Sequence, residues 1–155
     1  CQAHVGGKFQ LDALKNTLDD LAKAALPIQV TEFWAHKKDF PKGLSPQALE
    51  QTMADYVCQI YSVAFAQPAL NHFTYWGSDV FFNDDHSPSL AYQQLHQLIK
   101  KEWLTNWEGQ TDAAGKLTFE GFTGEYELSL GRGDAQPLQF DLSKEMASTK
   151  KITVG

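Results

Sequence analysis

At 155 residues, with 43% hydrophobic and 21% charged, the chain suits one ordinary globular domain with a sizeable core. A net charge of −6 argues against nucleic acid or an anionic membrane surface as partner, and no apolar run approaches the ~20 residues of a membrane span. Two cysteines, Cys1 and Cys58, make neither a disulfide framework nor a metal-binding spacing, so no metal is expected and the redox compartment stays open.

Cys1 to Val5 reads as a short extended piece that Gly6-Gly7 breaks. Leu11, Leu14, Leu18, Leu21, Ala22 and Ala25 then recur at helical spacing, with Asp12, Lys15, Asp19, Asp20 and Lys23 on other faces. That pattern predicts an amphipathic helix ended by Pro27. Ile28 and Val30 are β-branched and predict a short buried strand over 28–31, with Glu32 at its C-terminal end. Phe33 to Gly43 is a polar, aromatic and basic loop. Ser45-Pro46 reads as N-cap and first helical residue. Leu49, Met53, Tyr56, Val57, Ile60 and Ala64 form the buried stripe of a second helix that ends before Pro68.

A strand follows over 70–75, closed by Trp76-Gly77, and a loop rich in Asp, Asn and Phe follows over 78–87. Ser87-Pro88 repeats the cap signal before a third helix with Leu90, Ala91, Leu95, Leu98 and Ile99 on its apolar face. After Trp107 the pattern changes. Residues 111–116 form a turn, and two alternating runs, 117–122 and 125–130, flank Thr123-Gly124 and predict a β-hairpin. Residues 138–142 and 152–154 are expected as short edge strands.

Strands alternating with helices argue for an α/β fold with a parallel sheet, either a small open sheet or part of a barrel. The expected organisation is 1–107 as the α/β part and 108–155 as a β-hairpin appendage. A carboxylate at the C-terminal end of a parallel strand, as Glu32 is, stands where such folds place functional groups; a solvated loop Glu is the plainer alternative.

Gln2-Ala3-His4, Thr31-Glu32 and Tyr75-Trp76-Gly77 stand at the ends of the three strands. Downstream come Gly115, Phe119, Gly121-Phe122, Gly124 and Tyr126. In order and spacing these resemble the last three strands and the tail of family-10 glycoside hydrolases, the retaining endo-β-1,4-xylanases, over residues 1 to about 130. The resemblance implies about three βα units from the C-terminal side of a (β/α)8 TIM barrel, followed by a small antiparallel β appendage. It implies Glu32 as nucleophile and His4 as the donor that orients and tunes it. Gln2, Trp34, His36 and Trp76 would contact the sugar. Two departures stand out: Trp34 is found where the family has Asp, and Asp79 follows Trp76-Gly77 one residue early.

The resemblance further implies a β-1,4-xylan or related cell-wall polysaccharide as substrate, no cofactor, and a secreted or periplasmic location. A retaining glycosidase needs a second carboxylate ~5–5.5 Å from the nucleophile. None before Glu32 can take that role, so the chain is expected to lack the acid/base half, to depend on a missing N-terminal barrel segment and to be inactive alone. A non-catalytic carbohydrate-binding domain and a piece of another barrel glycosidase, a cellulase or galactanase, are the alternatives. Arg132-Gly133-Asp134 matches an adhesion tripeptide common by chance.

Overall fold

The computed structural model describes residues 2–4 (backbone only), 11–131 and 136–143. Cys1, Gly6-Gly7, Arg132-Gly133-Asp134 and the strand expected at 152–154 lie outside the described residues. The chain divides into two compact units, Cys1–Lys100 and Lys101–Gly155.

In the first unit, β1 (Gln2–His4), β2 (Ile28–Trp34) and β3 (Leu70–Tyr75) form a parallel sheet in the order β1-β2-β3. The connecting helices are α1 (Leu11–Ala22) and α2 (Pro46–Ala66), and α3 (Leu90–Gln97) follows β3. A wider π-helical turn, Leu98–Glu102, continues α3. No helix among the described residues is long and apolar enough to cross a membrane.

Helix α1 stops short of Ala25, which its spacing had included. Ala25 instead takes a left-handed conformation, φ 54°, with its N–H on Ala22 O at 3.0 Å. This early turn lets Ile28 N reach Ala69 O at 2.7 Å and start the β2–β3 pairing.

Strand β2 runs three residues past its expected end, because β1 pairs with that stretch: Gln2 stands opposite Glu32, Ala3 opposite Phe33 and His4 opposite Trp34. Its side-chain alternation also slips. Val30 pairs with Phe73 but Phe33 with Tyr75, so β2 carries one extra residue between these pairs. Strict alternation would put Glu32 on the face of Ile28 and Val30. The bulge puts Phe33 there instead, 2% exposed, and leaves Glu32 half-buried.

Phe33 anchors the core. Its ring lies 5.4 Å from Phe73, 5.7 Å from Tyr75 and 6.4 Å from Tyr56. Ile28 and Val30 join it with Met53, Val57 and Ile60 of α2, Leu18 of α1, and Ala91 and Leu95 of α3. Each large apolar side chain so buried contributes about 1.5–3 kcal/mol.

The helix starts follow their caps. Ser45 Oγ accepts from Ala48 N at 3.2 Å, with Pro46 in the first turn. At α3 the cap is Ser89, where the sequence pattern points to Ser87. The Pro88 backbone bridges to Phe82 and Ser89 N reaches Phe81 O, so the chain stays extended through 88. Ser89, 3% exposed, accepts from Tyr92 N at 3.2 Å and donates to Val80 O at 2.7 Å. Ser87 belongs to a turn closed on Asp85, whose carboxyl is held below its usual range by the Ser87 hydroxyl and N–H.

In the second unit, β4 (Gly124–Leu128) pairs antiparallel with β5 (Leu138–Leu142) and not with 117–122. The hairpin expected around Thr123-Gly124 is corrected. A local network holds the preceding stretch instead: Phe122 N donates to Thr105 Oγ1 at 3.1 Å, and Tyr126 Oη donates to Phe122 O at 2.6 Å. A side chain at Gly121 would run into the Tyr126 hydroxyl and Thr105. The Tyr126 and Phe140 rings, cross-strand neighbours, stack at 5.4 Å.

Ser89→Ala removes a cap and strands the Val80 carbonyl, so it should lower stability by about 1–2 kcal/mol in a denaturant titration. Burial pushes the Tyr61 phenol up to about 12 and raises those of Tyr56 and Tyr75 as well. Above about pH 10 the unfolded chain releases phenol protons that the folded chain keeps, so stability falls as pH rises. Denaturant midpoints measured up the alkaline range should drop, and Tyr61→Phe should make the drop shallower.

Candidate functional site

The C-terminal ends of β2 and β3 and the segments that leave them carry a group of polar and aromatic residues, among them Trp34, His36, Tyr75, Trp76 and Asp79. Two contacts bring these ends together. Trp76 N donates to Phe33 O at 2.7 Å, and the Tyr75 hydroxyl donates to Ala35 O at 2.6 Å. Both follow from the parallel pairing, which runs up to Phe33 and Tyr75 and releases both strands at the same level.

Beyond that level the two loops are tied through one carboxylate. Asp79 Oδ2 lies 3.1 Å from His36 Nδ1 and 3.4 Å from Lys37 N. His36 N in turn donates to Asp39 Oδ2 at 2.9 Å. Two acids therefore hold His36, Asp39 at its backbone N–H and Asp79 at its ring. The Trp34 ring packs on His36 with centroids 3.9 Å apart and planes at 53°.

Gly77 makes the packing of Trp34 possible. Its φ is +99°, a conformation that L side chains rarely adopt, and a Cβ there would stand 3.3 Å from Trp34 Nε1. Trp76, next to it, is 54% exposed. An exposed indole and an imidazole–carboxylate pair, carried by the segments that leave these strand ends, offer apolar area and hydrogen-bonding groups.

The residues singled out from the sequence are distributed as follows. Trp34 and His36 meet directly, and the Trp76 backbone N–H is tied to the carbonyl of Phe33, the neighbour of Trp34. Glu32 sits in β2 opposite Gln2, half-buried, two residues before Trp34. His4 stands opposite Trp34 rather than opposite Glu32. The side-chain roles read for Gln2 and His4 lie outside the described residues. Sequence reasoning gave no role to Asp79, Asp39 or Gly77. The early acid in Trp76-Gly77-Ser78-Asp79 was the one available signal, and only the fold shows that it meets His36, 43 positions away. No group of three His, Cys, Asp or Glu that could hold a metal occurs among the described residues.

A second concavity, of about 500 Å³, lies between α1 and the last turns of α2. Leu18, Ala22, Val63, Ala66 and Pro68 line it, with Lys15, Asp19, Ser62 and Gln67 supplying polar groups. Asp19 binds Lys15 Nζ at 2.6 Å and Gln67 Nε2 at 2.8 Å, and Lys15 holds its carboxyl below the usual range.

No family model matches the chain. Over 137 residues, 82% of its length, the chain is 28% identical to the anti-sigma-I factor RsgI6 of Acetivibrio thermocellus, and the matched part is 17% of that protein. The chain thus spans a small part of the relative it matches. This relative is named as a regulator, and it corrects the glycoside hydrolase resemblance. The xylanase reading, its alternatives among other glycosidases and carbohydrate-binding domains, and the polysaccharide partner are withdrawn. The roles of Glu32 as nucleophile, His4 as its donor, and Gln2, Trp34, His36 and Trp76 as sugar contacts rested on that resemblance and go with it.

Gly77→Ala forces a side chain into a positive, left-handed φ and toward the indole of Trp34. It should cost at least about 1–2 kcal/mol and shift the tryptophan emission, a shift that Trp34→Phe should abolish. Wild-type stability and emission in Gly77→Ala would mean that the turn relaxes around the methyl group without moving Trp34.

Proposed function

We propose that this chain is one domain of a protein that regulates a sigma factor, and that the edge formed by Trp34, His36, Trp76 and Asp79 is a protein-docking surface within that regulator. The match to an anti-sigma-I factor over 82% of the chain carries the reading. Three physical features support it. The chain is acidic, which disfavours direct binding to nucleic acid and favours a protein partner with basic surface. The edge is built on the ends of paired strands, so its side chains are held before any partner arrives. Its most exposed member is a tryptophan, among the residue types that dominate protein-interface energetics.

The test uses the full-length polypeptide that carries this chain and the sigma factors of the same genome, one at a time, by titration calorimetry. Binding of one sigma factor is expected, and Trp76→Ala and Asp79→Ala should each weaken it by about 2 kcal/mol, roughly 30-fold. Circular dichroism of each variant guards against loss of fold. Wild-type affinity in both folded variants, or no sigma factor bound at all, overturns the proposal.

A further inference from the structure

The concavity between α1 and α2 lies at the other end of the strands from the edge of Trp34 and His36. Pro68 lines it just before β3 begins, whereas the edge stands where β3 ends. Its wall on α1 is one helical face, because Lys15, Leu18, Asp19 and Ala22 follow at i, i+3, i+4 and i+7. Leu18, 1% exposed, is shared between this wall and the core. The wall on α2 includes Ser62, Val63 and Ala66. Ala22, Ser62 and Ala66 are small, so the helices leave a hollow of about 500 Å³ where longer side chains would fill it. That volume falls within the roughly 300–1,000 Å³ of small-molecule sites. Ser62, Ala66 and Pro68 are exposed, so the hollow is open to solvent.

The polar groups of the wall are tied to one another. Asp19 accepts from Lys15 Nζ at 2.6 Å and from Gln67 Nε2 at 2.8 Å, and Gln67 Oε1 accepts from Ala69 N at 3.2 Å. Gln67 is also the C-cap residue of α2, which fixes its backbone. The Ser62 hydroxyl is taken by Cys58 O at 2.8 Å. Capacity remains in the network, because an ammonium has several donors, a primary amide two, and a carboxylate more lone pairs than these two bonds use. Donors and an acceptor are therefore offered in the same hollow.

Charge narrows what can use them. Lys15 and Asp19 compensate each other at 2.6 Å. A carboxylate on a ligand would meet Asp19 as well as Lys15, and the C-terminal ends of α1 and α2, which both border the hollow, carry partial negative charge. An ammonium would meet Lys15. A hydroxyl suits all three groups, since it donates to Asp19 and accepts from Lys15 or Gln67. We propose that this concavity binds a small, neutral, apolar molecule carrying one hydroxyl group, of the alkylphenol or medium-chain alcohol class, with its body against Leu18, Val63 and Ala66 and its hydroxyl on Asp19. The site shares no residue with the edge of Trp34, His36, Trp76 and Asp79 and needs no sigma factor, so either reading can fail without the other.

The test is equilibrium dialysis of the full-length polypeptide against three probes of similar shape, 4-propylphenol, 4-propylbenzoate and 4-propylbenzylamine, near neutral pH where the phenol is uncharged. The phenol should bind roughly tenfold or more tightly than either charged probe. Ala66→Trp, which fills the hollow, should weaken phenol binding by roughly tenfold or more, with circular dichroism as the check on fold. Lys15 is exposed and Asp19 half-buried, so their variants test the site without touching the core. Asp19→Ala leaves the ammonium uncompensated and should turn the preference to the benzoate. Lys15→Met leaves the carboxylate uncompensated and should turn it to the amine. Absence of phenol binding, equal affinity for the three probes, unchanged phenol affinity in folded Ala66→Trp, or an unchanged order of preference in the Asp19 and Lys15 variants each overturns the proposal.

Discussion

The placement of Phe33 is the constraint on which the first unit depends. Strand β2 is central, and the face it gives to the helices is Ile28, Val30 and Phe33, a set that plain alternation cannot produce. The extra residue between Val30 and Phe33 resolves the conflict. Without it, Phe33 would turn away from Tyr56, Phe73 and Tyr75, and Glu32 would enter an apolar core with no charge partner there, a costly burial. With it, the aromatic cluster closes and the carboxylate stays half-buried at the strand's end. A bulge also twists the strand locally, and this one lies directly before the loop that carries Trp34 and His36.

The loop geometry follows from that point upward. Because Phe33 O receives Trp76 N and Ala35 O receives the Tyr75 hydroxyl, the chain leaves β2 and β3 side by side. Asp79 then falls within reach of His36 and of the Lys37 N–H. Gly77 supplies a backbone turn that no bulkier residue would adopt at low cost, and the space it leaves is filled by Trp34. Core packing, backbone pairing and the edge chemistry are thus one continuous arrangement.

By itself the sequence determined the local elements. Leucine spacing marked α1, the Ser45-Pro46 pair marked the start of α2, and β-branched and aromatic runs marked β2 and β3, because these signals act within a turn or a strand and need no distant partner. Trp34, His36 and Trp76 were singled out through the glycoside hydrolase resemblance and not through these local signals. Tertiary structure decided what depends on pairing between distant segments. The end of β2 was set by β1, the partner of β4 by β5 rather than by 117–122, and the cap of α3 by the Phe82–Pro88 bridge. The slip that spares Glu32 from the core and the meeting of His36 with Asp79 belong to the same class. Each depends on which strand lies alongside which and in what register, and a one-residue shift in register reverses every face while leaving the local pattern of the sequence unchanged.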